Sequence, residues 1–352
     1  MYPLLRPLLF RFEAERAHGV TLGLLRAAQR MPAVLSILRA VYSTRAKPVT
    51  AFGLTFKNPV GLAAGYDKDG LAVQGLAALG FGHVEVGTVT PLPQAGNPAP
   101  RVFRLLEDEA VINRMGFPSR GATYVQKRIT PRPKISPFEY VLRRRLPKSD
   151  LVLGLNLGKN KETPNEQAVL DYLSLVQVFA PLADYLTINV SSPNTMGLRQ
   201  LQARDALEKL LEQLHAQRKL EEASLQKRVP LLVKIAPDLS DAELDDALDV
   251  ILRTGMDGVI ATNTTLAREG LRSALAGETG GLSGRPLTVK SEAMLAKVVK
   301  RLEGKIPVVS AGGIMSPEDA KRRIDMGAAL VQLYTGLIYR GPGLVKKIVK
   351  SL

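Results

Sequence analysis

A chain of 352 residues with 45% hydrophobic content has room for one large α/β domain or two smaller ones around a sizeable core. It contains no Cys, which excludes disulfides, thiolate metal sites and a cysteine nucleophile, and its three His argue against a His-rich metal centre, so no metal is expected. The net charge of +15 suits an anionic partner, whether nucleic acid, anionic lipid or an acidic small molecule, although the Lys and Arg are spread along the chain as on any basic surface.

Residues 1–45 read as two or three short helices. Leu4, Leu5, Leu8, Leu9 and Phe12 keep helical spacing with Arg6, Glu13 and Arg16 off that stripe, while Gly19 and Pro32 punctuate the rest. Seven Arg against two Glu make the stretch basic as well as amphipathic. It reads equally as a helical cap on the remainder of the chain and as a surface that dips into an anionic membrane. Arg6 and Arg11 interrupt the apolar start, so no secretory signal is expected, and no apolar run is long enough to predict a transmembrane helix.

Past residue 50 a short apolar run ending in Gly, Asn or Thr repeatedly precedes a helical stretch. The runs are "PVGLAAG" (59–65), "HVEVGTV" (83–89), "LVLGLNLG" (151–158), "YLTINVS" (185–191), "PLLVKIAP" (230–237), "GVIATNT" (258–264), "IPVVSAGG" (306–313) and "LVQLYTG" (330–336). Continuous apolar strands alternating with helices predict a parallel sheet, and eight of them predict a (β/α)8 TIM barrel over 46–352. A doubly wound sheet is the alternative, but its Gly-x-Gly-x-x-Gly fingerprint is missing after the first strand. Gly80, Gly255 and Gly327 close helical stretches four residues before Val84, Val259 and Val331 inside strands. Residues 120–150, with "TPRPKISP" and "RRRLPK", read as an inserted loop and a charged helix.

In such a barrel the residues at the C-terminal strand ends line the active site. Those are Lys68, Thr88, Asn156, Asn189, Lys234, Asn263, Gly312, Gly313, Tyr334 and Thr335. "AGGIMSPEDA" offers Gly312-Gly313, then Ser316 as helix cap and Pro317 at the first helical position; with "YTG" it suits a phosphate pocket or, more simply, a tight loop. "GGLSGRP" (280–286) reads as another Gly-rich turn beside it. Lys234 within an apolar strand wants an anionic partner, with Schiff-base chemistry as the rival use. Asn113, Asn156, Asn189, Asn194 and Asn263 offer paired donors and acceptors such as a pyrimidine or flavin ring would need, or else serve as turn formers.

The blocks "AAGYDKDG", "NRMGFPSRG", "GLNLGKNKETP", "TINVSSPNTMGLR", "KIAPDL", "ATNTT", "GGLSGRPL" and "SAGGI" closely resemble the dihydroorotate dehydrogenase family. The N-terminal helices and the serine of "SSPN" resemble its quinone-linked class 2. The resemblance runs over nearly all of 1–352. It implies oxidation of dihydroorotate to orotate on FMN in pyrimidine synthesis, with Ser192 as the base for the C5 proton and hydride passing to the flavin. It implies FMN held by Ala64, Gly65, Tyr66, Asp67, Lys68, Thr88, Asn156, Asn189, Lys234 and Thr262, with its phosphate at Gly284, Gly313, Tyr334 and Thr335. Substrate would meet Lys68, Asn113, Arg114, Met115, Gly116, Phe117, Asn189, Asn194, Asn263 and Thr264. His18, Arg104 and Tyr334 match positions around the quinone tunnel.

A serine hydroxyl is a poor base, so a relay must take its proton onward; Thr195 and a water are the candidates. Class 1 members use Cys as base, which this chain lacks. The lack of a long transit-type presequence suggests a bacterial protein at the cytoplasmic face of its membrane; a monomer is expected, with residues 1–45 as the membrane and quinone segment and no nucleic-acid partner. The alternative is a flavin barrel acting on another substrate such as tRNA, which would normally need a catalytic Cys. A non-enzymatic membrane-surface scaffold would leave the strand-end amides unexplained.

Overall fold

The structure, a computed structural model, describes residues 2–130 and 151–352. Of the inserted loop and charged helix expected over 120–150, residues 131–150 lie outside the described residues, whereas the stretch before them forms a helix, Ala122–Ile129. Three helices open the chain, α1 (Tyr2–Phe10), α2 (Ala14–Ala28) and α3 (Pro32–Tyr42). Phe12 falls beyond the end of α1, and Gly19 does not break α2: nothing lies within 4 Å of where its Cβ would be. An exposed helical Gly costs only about 1 kcal/mol against Ala, which the rest of a 15-residue helix absorbs.

The strands follow in chain order: β1 (Val49–Ala51), β2 (Leu54–Phe56), β3 (Val60–Leu62), β4 (His83–Val89), β5 (Val102–Leu105), β6 (Ala110–Asn113), β7 (Val152–Leu157), β8 (Tyr185–Asn189), β9 (Leu231–Ile235), β10 (Gly258–Ala261), β11 (Gly281–Gly284), β12 (Val308–Ala311) and β13 (Leu330–Leu333). Eight of them close a parallel barrel in the order β10-β12-β13-β3-β4-β7-β8-β9, one strand for each of the eight predicted runs. Their tails, such as Val190-Ser191 and Thr262-Asn263-Thr264, leave the ladder and form the loops above it. Gly80, Gly255 and Gly327 adopt φ of 96°, 69° and 103°, left-handed turns that return a helix to its next strand.

Burial on both faces explains the apolar runs. On β9, Leu231, Val233 and Ile235 pack outward among the helices, whereas Leu232 joins the inner cluster of Phe52, Phe56, Tyr185 and Ile260. Alternation therefore turns Lys234 into the barrel. Inner space is made by small residues: a Cβ on Gly61 would sit 1.9 Å from the His83 ring, and one on Gly154 2.2 Å from that of Tyr185. The β1–β2 hairpin sends Phe52 and Phe56 into the inner cluster.

A second sheet, β11-β6-β5, is antiparallel. It corrects the reading of 280–286 as a turn: Gly281–Gly284 is a strand paired with β6, Gly281 opposite Asn113. Four residues, two of them Gly, carry no alternation, and the partner strand is far away in sequence.

The N-terminal helices pack closely on this scaffold. Arg104 donates to the carbonyls of Leu9, Phe10 and Phe12, Arg101 pairs with Glu15 at 2.6 Å, and Gln29 Nε2 donates to Leu71 O at 2.7 Å. A Cβ on Gly75 would lie 2.6 Å from Leu25 O. Their other side leaves Leu4 (83% exposed), Leu24 (64%), Ile37 (62%), Leu8, Met31 and Val41 open to solvent.

Candidate active site

The C-terminal strand ends converge on a cleft enclosing ≈ 990 Å³, its open mouth included. Ala64, Gly65, Lys68, Thr88, Asn189, Lys234, Thr262, Gly284, Gly313, Tyr334 and Thr335 all line it. So do Ser192, Asn113, Met115, Gly116, Phe117, Asn194, Asn263 and Thr264. The other expected residues stand behind the wall. Asp67 accepts from the N–H groups of Leu71 and Ala72, both at 2.8 Å, and so shapes the loop that carries Lys68. Asn156 is fully buried, between Glu85 and Asn189. Arg114 turns away to Glu278 at 2.5 Å and stacks 4.5 Å over Phe103. Tyr66 is buried between His18, with ring centroids 4.8 Å apart, and Tyr334 at 5.9 Å.

That aromatic row runs from α2 to the cleft wall. Arg104 stands apart from it, at the α1–α2 turn and 4.7 Å over the Phe10 ring. Burial, and next the charge of Lys68, pushes His18 down to about 4, so the ring is neutral at pH 7.

Ser192 is 4% exposed, and its Oγ accepts the Asn194 N–H at 3.2 Å. Asn194 Nδ2 in turn donates to Asn113 Oδ1 at 3.1 Å. Thr195 Oγ1 is buried without a hydrogen-bond partner among the described residues. Lys68 Nζ donates to Gly65 O at 2.5 Å, and burial pushes its pKa down to about 8, with Glu15 opposing.

Several groups in the cleft await a ligand. Lys234 is buried, its pKa is lowered by burial, and its ammonium makes no hydrogen bond among the described residues. Thr264 Oγ1 and Gln332 Oε1 are likewise buried and unpartnered. A cation, a hydroxyl and a carbonyl oxygen aimed into one cleft fit a ring with alternating donors and acceptors and negative charge. At the other end Gly284 and Gly313 bring backbones together: a Cβ on either would fall 2.4 Å from Glu109 O or Thr288 Cα. These residues fit a flavin mononucleotide, its phosphate at the glycine end.

The family model described as dihydroorotate dehydrogenase matches residues 47–352. The chain belongs to the dihydroorotate dehydrogenase family. Among curated relatives, a dihydroorotate dehydrogenase (quinone) of Idiomarina loihiensis is 49% identical over 100% of both chains. One of Chromobacterium violaceum is 50% identical over 100% of this chain and 97% of its own. The solved structure of DHODH from Eimeria tenella in complex with ferulenol has a TM-score of 0.84 and 42% identity, covering 96% of this chain and 90% of that one. The quinone-type dihydroorotate dehydrogenases thus match this chain through its N-terminal helices, and they disfavour the RNA alternative.

Sequence reasoning missed three residues that shape this dihydroorotate dehydrogenase cleft. Arg199 ties its loops together, donating to Ser191 O at 3.0 Å and Thr264 O at 2.9 Å while pairing with Asp238 at 2.9 Å. Gln332 is the lone polar residue of β13, and Glu85 is the one charged residue of the mainly apolar β4. That is the signal that singled out Lys234, and it applied equally to them.

Proposed function

We propose that this chain oxidises dihydroorotate to orotate and passes the electrons to a membrane quinone, with FMN as its redox group. The observation that carries the reading is Ser192 in a cleft lined by Lys68, Asn113, Asn194 and Asn263, with an unpartnered Lys234 at its wall. Thr88, Asn189, Lys234 and Thr262 would hold the flavin ring, and Gly284, Gly313, Tyr334 and Thr335 the phosphate. FMN, when bound, supplies the acceptor for the hydride leaving substrate C6.

The amides of Asn113, Asn194 and Asn263 orient the pyrimidine ring, and the Lys68 ammonium binds its carboxylate. Ser192 Oγ takes the C5 proton. The Asn194 N–H favours negative charge on that oxygen, and the hydroxyl proton passes toward Thr195 Oγ1 and solvent. A serine works here because the proton is acidified by the adjacent carbonyl, and simultaneous or following loss of the hydride drains the charge. Lys234 holds positive charge against the reduced ring.

In this reading residues 1–45 form the membrane and quinone segment and 46–352 the catalytic barrel. No described helix is long and apolar enough to cross a membrane. The exposed leucines of α1 and α2 support peripheral attachment, at the cytoplasmic face of the cell membrane and as a monomer. His18, Tyr66 and Tyr334 give the quinone a path toward the cleft, with Arg104 to one side of it at the α1–α2 turn. The purified protein tests this directly: it should be yellow, dihydroorotate should bleach it without oxygen, and a colourless or unbleached protein would refute the reading.

A further inference from the structure

A buried carboxylate backs the cleft, and the oxidation of dihydroorotate gives it no direct task. Glu85 lies in β4, 0% exposed. Its Oε1 accepts from Asn156 Nδ2 at 2.8 Å; its Oε2 accepts from Gln332 Nε2 at 2.9 Å, Tyr185 OH at 3.1 Å and Thr187 Oγ1 at 3.2 Å. The amide nitrogens can only donate, so each oxygen meets an obligate donor, an arrangement made for a carboxylate. A buried charge is tolerated only when it is matched.

Glu85 and Lys234 are the only Asp, Glu, Lys or Arg residues in the eight barrel strands. The other titratable groups facing inward are His83, which burial pushes down to about 3, and Tyr185, which burial and then Glu85 push well up; both are neutral at pH 7. Lys68, on the loop after β3, faces the cleft above them. Burial depresses Lys234, and Glu85 is the charge that opposes this.

The same carboxylate orients a row of amides. Because Asn156 gives its N–H to Glu85, its Oδ1 accepts from Thr88 Oγ1 at 2.5 Å and Asn189 Nδ2 at 2.9 Å. Asn189 then turns its Oδ1 to Ser191 Oγ at 3.1 Å and Asn263 Nδ2 at 3.3 Å. We propose that Glu85 is a positioning residue of the cleft: it keeps the Lys234 ammonium charged where it meets FMN, and its acceptor-only oxygens set which way the Asn156, Asn189 and Asn263 amides point. The proposal rests on the reading of Lys234 as a flavin contact.

Glu85→Gln removes the charge and keeps the shape. The Tyr185 and Thr187 hydroxyls can accept as well as donate, and Gln332 Oε1 has no partner of its own, so the new amide can be satisfied by a flip. The measurement is the midpoint potential of bound FMN in the full-length holoprotein between about pH 7 and 9. Without its counter-charge Lys234 gives up its proton more readily as the pH rises, so at pH 9 the equilibrium should move toward oxidised FMN by at least tenfold, about 30 mV for a two-electron couple. Lys68 titrates in both proteins and cancels in the comparison. In a Lys234→Met background the Glu85 substitution should no longer lower the potential.

A Glu85→Gln potential equal to or above that of the unsubstituted protein overturns the proposal. If Lys234→Met leaves FMN affinity and potential unchanged, the reading of Lys234 fails; if it lowers the potential while Glu85→Gln does not, only the inference fails. Should Glu85→Gln not fold, combining it with Gln332→Glu returns a carboxylate across the same hydrogen bond. That double variant should bind FMN at the unsubstituted potential, and a folded double variant with a lowered potential contradicts the proposal.

Discussion

Ser192→Ala removes one oxygen from the cleft and leaves every amide around it in place. Orotate should bind with nearly unchanged affinity, while flavin reduction in stopped flow should slow by roughly 10²-fold or more, the usual cost of a lost general base. Ser192→Cys should keep more activity than Ser192→Ala, because a thiolate is an easier base near neutral pH. Reduction at the unsubstituted rate in Ser192→Ala would place the base elsewhere. Lys68 carries a pH prediction. Burial lowers its pKa to about 8, so the ammonium is charged below that pH and neutral above it. An anion binds the charged form, so the orotate Kd should stay flat below about pH 8 and rise above it, approaching tenfold per unit. Lys68→Met should lack this break, and a flat profile in the unsubstituted protein would exclude Lys68 as the carboxylate partner. Lys234 was legible as a single residue because it breaks an apolar strand, whereas Lys68 and Ser192 sit on the loops after β3 and β8 and took their roles from the family resemblance. Arg199 was not legible, since nothing in "GLRQL" says that its guanidinium reaches back to two other loops.

At the level of elements, the eight barrel strands were readable because both of their faces are buried and their sequences stay apolar throughout. The β5-β6-β11 sheet was not: its β5 edge is half-exposed, β11 is largely Gly and Ser, and its pairing with β6 is purely tertiary. Glycine content misleads in α2 for the opposite reason, since Gly19 meets no neighbour that would make its freedom useful. Two substitutions separate these cases. Gly154→Ala drives a Cβ against the Tyr185 ring and should cost about 1–3 kcal/mol by overpacking. Gly19→Ala, in open space within a helix, should stabilise by roughly 0.5–1 kcal/mol. Urea midpoints measure both, and a neutral Gly154→Ala would mean that the barrel interior is looser than the Tyr185–Glu85 hydrogen bond implies.

Over the whole molecule, the sequence left residues 1–45 open between a cap and a membrane surface, and the geometry supports both uses. One side is bonded to the barrel through Arg101, Arg104 and Gln29; the other exposes Leu4, Leu8 and Leu24. Deleting the segment would therefore strip barrel surface as well as lipid contacts, so point substitutions are the cleaner probe. Leu4→Ser, Leu8→Ser and Leu24→Ser together should weaken binding to anionic liposomes and slow reoxidation by a long-tailed quinone, with flavin reduction by dihydroorotate unchanged. Liposome binding of the unsubstituted protein should fall with salt, as expected of a basic amphipathic surface. Equal losses in both half-reactions would favour the cap alone. The most direct test of the central claim follows the flavin spectrum without oxygen, first with dihydroorotate and then with a quinone. The account predicts bleaching with one orotate formed per FMN, followed by full return of the colour on adding the quinone and none on adding fumarate or NAD. A flavin that dihydroorotate leaves oxidised, or one that only fumarate or NAD restores, would contradict it.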